Sequence, residues 1–267
     1  EVTVIEMMDR ILPVEDSEVS AALKKSLTKH GIKFHTATKT AAAETTDSGV
    51  RLTLEPAAGG DQTTVEAEVC LVAVGVAPVL PKNAEQLKLS DRGYIETDER
   101  YQTNIPNVYA AGDIIGPPWL AHVASYEAVQ AVEGMFDPDF KPKKVTVFPG
   151  CTYCHPEVAS VGLTEDACKE KGLDYRVGKF PFAASGRALA VADSEGFVKI
   201  IFDKKHGEIL GAHIIGAGAT ELIAEMGLAI NLEATHEEIE ATIHAHPTLA
   251  EAIHEATGDA FGHAIHI

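Results

Sequence analysis

The opening segment reads strand, helix, strand, and that order constrains the fold more than any other feature of the chain. Val2-Thr3-Val4-Ile5 is a short β-branched run of the kind found in buried parallel strands, and it ends at Glu6. Ser17 to His30 places Val19, Ala22, Leu23 and Leu27 on one stripe and meets Gly31 as a stop signal, which predicts a helix. Ile32-Lys33-Phe34-His35 reads as the next strand. Residues 37–74 then alternate strand-like pieces with polar turns, an antiparallel excursion before an apolar strand expected at Val69–Gly75.

Two further regions follow. Pro78 and Pro81 mark a crossover, after which Asn107–Asp113 reads as a strand ending on Gly-Asp, and a helix is expected from about Leu120 to Met135. A Pro-bearing linker, Asp137 to Pro142, leads into a region that starts near Val145. There Phe197–Phe202 and Ile209–Ile215 flank the turn Asp203–Gly207 as a hairpin. Helices are expected at about 218–231, 235–243 and 248–256. Strands first and helices afterwards describe an α+β domain, so the whole reads as α/β followed by α+β.

Composition excludes several functions. With 22 basic and 40 acidic residues the formal charge is −18, which argues against nucleic acid and suits small molecules or basic protein surfaces as partners. No apolar run approaches a membrane span, and no segment reads as a secretion signal. Four cysteines (Cys70, Cys151, Cys154, Cys168) are too few for a disulfide scaffold and point to a reducing compartment. The chain opens inside a strand without Met, so a fragment of a longer protein is expected.

The chemistry concentrates in His244-Ala245-His246-Pro247-Thr248-Leu249-Ala250-Glu251. Histidine can take and return a proton near neutral pH, and a carboxylate on its far nitrogen would fix the tautomer. Pro247 suits the first position of a helix, leaving His246 just outside and Glu251 able to reach back. The alternative is that Thr248-x-x-Glu251 is a capping box and Glu251 only satisfies a backbone amide.

Glu6 at a strand end fits a ribose-binding acid of a Rossmann-like domain, or a solvated side chain. Asp113, after Gly112, could accept hydrogen bonds from a polyol or cap a helix. Gly216-Ala217-Gly218-Ala219-Thr220-Glu221 mimics a dinucleotide loop but reads as a structural turn. Cys151-Thr152-Tyr153-Cys154-His155 fits haem attachment or a redox pair, or two small apolar residues beside a sheet. The scattered histidines lack zinc-ligand spacing, so no metal site is expected, and His263 and His266 read as part of a frayed tail.

The His-x-His-Pro-Thr-Leu-x-Glu-Ala string resembles the C-terminal signature of dihydrolipoamide dehydrogenases. Ile105 to Asp113 resembles that family's second flavin motif, and Ala73-Val74-Gly75 with Pro78 resembles the exit from its NAD domain. The resemblance covers essentially the whole chain. It implies partial Rossmann-like dinucleotide-binding domains followed by an α+β interface (dimerisation) domain. Residues 1–78 would complete an NAD domain, 79–145 an FAD domain, and 146–267 the interface domain.

Each site residue inherits a role from that resemblance. His246, oriented by Glu251, would take a thiol proton in the active site of the partner subunit of a homodimer. Asp113, with Gly112, would bind the FAD ribityl chain, and the backbone of Trp119, Leu120, Ala121 and His122 would approach the flavin. Gly75 would lie near the nicotinamide cofactor, and Glu6 would favour NAD over NADP. The implied activity is oxidation of dihydrolipoamide borne by the acyltransferase of a 2-oxo acid dehydrogenase complex, in the cytoplasm or the mitochondrial matrix. Cis peptides are implied at His155-Pro156 and His246-Pro247.

Departures qualify the match. None of the cysteines has the family's Cys-x4-Cys spacing, so the redox pair is absent from this chain. Val76-Ala77 stands where basic residues are common, and Trp119 where a smaller residue is usual. A sister reductase for glutathione, trypanothione or mercuric ion, and a non-catalytic dimerisation module, are the rival readings.

Overall fold

The computed structural model describes residues 1–267, which divide into two units. The first joins Glu1–Cys70 to Pro149–Ile267, and the second is Leu71–Phe148.

In the first unit, β1 (Thr3–Ile5) pairs in parallel with β2 (Lys33–His35), and α1 (Ser17–Lys29) makes the crossover between them. The helix starts where the Asp16 carboxylate accepts from the Glu18 amide at 3.0 Å. It stops at His30, followed by Gly31 at φ +91°. The antiparallel excursion is a meander of β3 (Thr38–Thr46), β4 (Gly49–Pro56) and β5 (Thr63–Ala67).

The C-terminal part of this unit is a five-stranded antiparallel sheet. Its strands are β6 (Gly150–Thr152), β7 (Val158–Gly162), β8 (Tyr175–Pro181), β9 (Phe197–Asp203) and β10 (Ile209–Ile215), in the spatial order β6-β7-β10-β9-β8. The expected hairpin is the β9–β10 pair. Short helices α3 (Glu165–Glu170) and α4 (Gly186–Ala190) interrupt the strands; α5 (Ala219–Asn231), α6 (His236–Ala241) and α7 (Glu251–Phe261) follow them. Both β9 and β10 are buried along nearly their whole length, because helices and α1 take up their faces.

Two contacts set the position of the helices. Val19 and Leu23, on the predicted stripe of α1, form one core cluster with Val158, Phe197 and Ile215 of the sheet. On the other side α7 crosses β8 at Gly178, where a Cβ would collide with the Ala256 carbonyl and with Ala260. Only glycine lets the helix backbone lie this close to the strand.

Between α1 and the sheet lies a fully buried lysine. Lys199 Nζ of β9 donates to both oxygens of buried Asp16 at 3.0 and 3.1 Å, to Glu18 at 3.0 Å and to Glu165 at 2.8 Å. Asp16 also accepts from the Glu165 amide at the start of α3, at 3.3 Å. Glu165 in turn accepts from Tyr175 Oη at 2.9 Å and pairs with Lys169 at 3.0 Å. The Lys199 ammonium, with Lys169 and Tyr175 helping against burial, holds the Glu165 carboxyl down at about 2.

The second unit is built around α2 (Ala121–Phe136), near the predicted bounds. Arg100 caps its far end, donating to Phe140 O at 2.8 Å, Asp137 O at 3.1 Å and also to Gly134 O.

Three local expectations fail. Val69–Gly75 is not a strand: Leu71 and Val74 are 87% and 92% exposed, and no strand of this chain pairs with the segment. An apolar run becomes a strand only where a neighbour takes its N–H and C=O groups. Asn107–Asp113 likewise makes a single bridge, Gln102 to Tyr109, and then enters a 3₁₀ turn at Gly112–Ile115. The tail is not frayed either. Buried Glu255 accepts from the Ile265 and His266 amides at 3.0 Å and from the His266 ring at 2.8 Å, and His263 pairs with Glu240 at 3.2 Å.

Lys199→Met should destabilise the fold by about 3–5 kcal/mol in urea unfolding, because it leaves the fully buried Asp16 carboxylate without its cation. Glu165 has its folded pKa below the ordinary value, so its contribution is complete above pH 4.5 and is lost as pH falls towards about 2. That part of the acid dependence should be absent in Glu165→Gln.

Candidate functional site

The His246 site forms where the chain turns from α6 into α7. Glu251 is the first residue of α7, whose N-cap, Ala250, offers no side-chain cap. Pro247 is therefore not the first helical residue, as its ring chemistry suggested. Thr248 Oγ1 donates back to Ala245 O at 2.6 Å, which folds residues 245–248 into a turn of their own ahead of the helix. His246-Pro247 and His155-Pro156 are both cis, as is Pro117-Pro118.

The two competing roles of Glu251 turn out to be compatible. Its Oε1 lies 2.9 Å from His246 Nδ1, and its Oε2 accepts from the Thr248 amide at 2.9 Å. Burial pushes the Glu251 carboxyl up, but the Thr248 amide and the His246 ring together hold it below the usual carboxylate range. An ionised carboxylate only accepts, so Nδ1 must carry the hydrogen and Nε2 is left as the basic nitrogen. The His246 side chain is 78% exposed, which keeps that nitrogen open to a substrate.

The dyad borders a cavity of about 360 Å³ whose walls include Phe180, Ser185, His244 and His266. Sequence reading did not single out two neighbouring pairs, His244 with Glu225 at 2.7 Å and His266 with Glu255 at 2.8 Å. The only trace of the second was the four-residue spacing of Glu251 and Glu255, which share one face of α7.

In the second unit, Asp113 is exposed on the 3₁₀ turn, and it does not cap α2, whose N-cap is Leu120. Gly112 has φ +77° and donates to Glu127 Oε2 at 2.8 Å, and a Cβ there would lie 2.9 Å from Ala124 Cβ. Glycine is required for the turn to sit this close to α2. Asp113 and Ile114 share a cavity of about 370 Å³ with Val76, Val79 and Trp119, and Trp119 packs on Tyr94 with ring centroids 6.4 Å apart. An apolar wall with one free-standing carboxylate fits a planar ring carrying hydroxyls, the chemistry of a flavin with its ribityl chain. Leu120, Ala121 and His122 form the entry to α2 beside Trp119, and Gly75, at φ +114°, has open space on its Cβ side.

In the first unit Glu6 follows β1, and its Oε1 accepts from the Met8 amide at 2.7 Å. Cys151 and Cys154 are both free thiols whose pKa is pushed up by burial, and Cys154 donates to Pro156 O at 3.0 Å. Neither has the thiolate character of a redox pair. No group of His, Cys, Asp and Glu has the geometry of a metal site. No helix is long and apolar enough to cross a membrane.

Residues 1–128 match the pyridine nucleotide-disulphide oxidoreductase domain, and residues 148–257 match the dimerisation domain of the same family. The chain is 45% identical to dihydrolipoyl dehydrogenase of Rhizobium etli, over 99% of this chain and 56% of that protein. It is 45% identical to the mitochondrial dihydrolipoyl dehydrogenase of Pisum sativum, over 100% of this chain and 54% of that protein. Among solved structures it superposes on LpdA of Mycobacterium tuberculosis with TM-score 0.83 and 26% identity, covering 96% of this chain and 55% of that one. The chain thus spans about half the length of the curated relatives it matches. With both domains matched and that level of identity along nearly its whole length, the chain belongs to the pyridine nucleotide-disulphide oxidoreductase family.

Proposed function

We propose that the chain is the C-terminal part of a dihydrolipoyl dehydrogenase, a homodimeric enzyme that oxidises protein-bound dihydrolipoamide with NAD. Residues 1–78 then complete the NAD domain, 79–145 the FAD domain and 146–267 the interface domain. The observation that carries the reading is the hydrogen bond between His246 Nδ1 and Glu251 Oε1 at 2.9 Å, within a string that the family resemblance already marked.

That bond makes a proton acceptor. Nε2 of His246 takes the proton from a dihydrolipoamide thiol, leaving a thiolate, the nucleophilic form. Glu251 stabilises the imidazolium so formed and keeps the ring from turning over. The dimerisation match supports action across a two-fold interface, on the partner subunit's substrate.

FAD, when bound, supplies two-electron exchange between a disulfide and a nicotinamide. Asp113 would accept hydrogen bonds from its hydroxyls, and Val76, Val79, Ile114 and Trp119 would shield its ring from water. The Glu6 carboxylate would take the ribose hydroxyls of NAD through an oxygen not engaged by Met8, and Gly75 would admit the nicotinamide end. The substrate's carrier would be the lipoyl-bearing acyltransferase of a 2-oxo acid dehydrogenase complex, in the cytoplasm or mitochondrial matrix.

In the longer protein, His246→Gln should lower kcat/KM for dihydrolipoamide by about 10²–10⁴-fold, as expected for loss of a general base. An unchanged value would overturn the role of His246. The isolated 267-residue chain, which has no Cys-x4-Cys, should show no dihydrolipoamide oxidation, and measurable turnover would refute the assignment of the redox step to residues outside it. Sedimentation with a flavin absorbance scan of the longer protein should show a yellow dimer, whereas a colourless dimer would mark a non-catalytic module.

A further inference from the structure

His246 needs more than Glu251 to hold it. Its side chain is 78% exposed, so little packing restrains the ring, and the backbone that carries it leaves α6 without helical hydrogen bonds. Two residues upstream the situation is reversed. The His244 side chain is only 6% exposed, and its Nε2 lies 2.7 Å from Glu225 Oε1. Glu225 belongs to α5, which is fixed in the core by Ile223, Met226 and Ala229. With Ala245 between them, the two histidines line one cavity, and the Ala245 carbonyl is itself tied to Thr248 Oγ1 at 2.6 Å.

The geometry points to a second carboxylate–imidazole pair, Glu225 with His244, whose task is to position His246. His244 is thus a positioning residue, acting through His246. The inference rests on the reading of His246 as the proton carrier and adds a tether from α5 to it. The groups around His244 are Glu225 from α5, His246 from the turn, and Glu251 and His254 from α7, with the His254 ring 5.9 Å away at 68°. The Glu225 hydrogen bond draws the His244 pKa upward against the effect of burial, so the tether is a charge-assisted one. Held at His244, Ala245 and Glu251 together, the segment presents the His246 ring in one orientation.

The test uses ring ¹⁵N NMR on the 267-residue chain, which reports how a neutral histidine divides between its Nδ1–H and Nε2–H forms. In the wild type His246 should be chiefly the Nδ1–H form, matching its bond to Glu251. Glu225→Ala and His244→Phe should each lower the Nδ1–H to Nε2–H ratio of His246 about fivefold, the effect of losing one ordering hydrogen bond. Glu225→Gln, which still accepts from His244, should keep the ratio within about twofold. Unchanged amide signals from β9 and β10 show that a variant is folded; should Glu225→Ala lose them, His244→Phe, which refills the buried volume with a ring, decides the matter. A wild-type His246 ratio in folded His244→Phe overturns the tether. Because the readout is a ring tautomer and not turnover, it holds even where the longer protein acts on a different thiol.

Discussion

The bond between Lys199 and Asp16 organises the first unit, because each partner serves more than one element. Asp16 starts α1, meets the amide that opens α3 and neutralises the ammonium of β9. Lys199 gathers Asp16, Glu18 and Glu165 from two helices on one nitrogen. A charge this deep is tolerated only with its partners in place, so the crossover helix and the sheet have to assemble together. Residues 1–70 and 149–267 become one unit through that requirement and through the apolar contact of Val19 and Leu23 with Val158, Phe197 and Ile215.

Much of this architecture was legible in the residues. The stripe Val19, Leu23 and Leu27 announced α1, and the turn Asp203–Gly207 between apolar runs announced the β9–β10 hairpin, because local periodicity and turn chemistry decide such elements. What could not be read was any element defined by a distant partner. Val69–Gly75 has strand composition and no strand to pair with. His263 and His266 looked loose because the carboxylates that hold them, Glu240 and Glu255, lie on helices that only the fold brings near. Lys199, within Phe197–Phe202, gave no sign of its three carboxylates, which lie 34 to 183 positions away in sequence.

The site was legible in a similar proportion. His246 and Glu251 could be paired because they lie five residues apart, and the competing cap proved to be the job of the carboxylate's second oxygen. Asp113 was singled out by its place after Gly112 but was given the wrong backbone, since a strand there lacks neighbours and the chain closes into a 3₁₀ turn. Glu225, nineteen residues before His244, could not have been found by spacing at all.

The contact at Gly178 carries this further. Because α7 rests directly on the β8 backbone there, the sheet behaves as the bed on which the dyad's acid is mounted, with Glu251 at the helix's leading end. Any side chain at position 178 would press on Ala256 and Ala260 of the helix that carries Glu251, the residue bonded to His246. The His246–Glu251 pair is therefore sensitive to a spot remote from its cavity, where a hydrogen atom in place of a methyl group lets α7 lie against the strand.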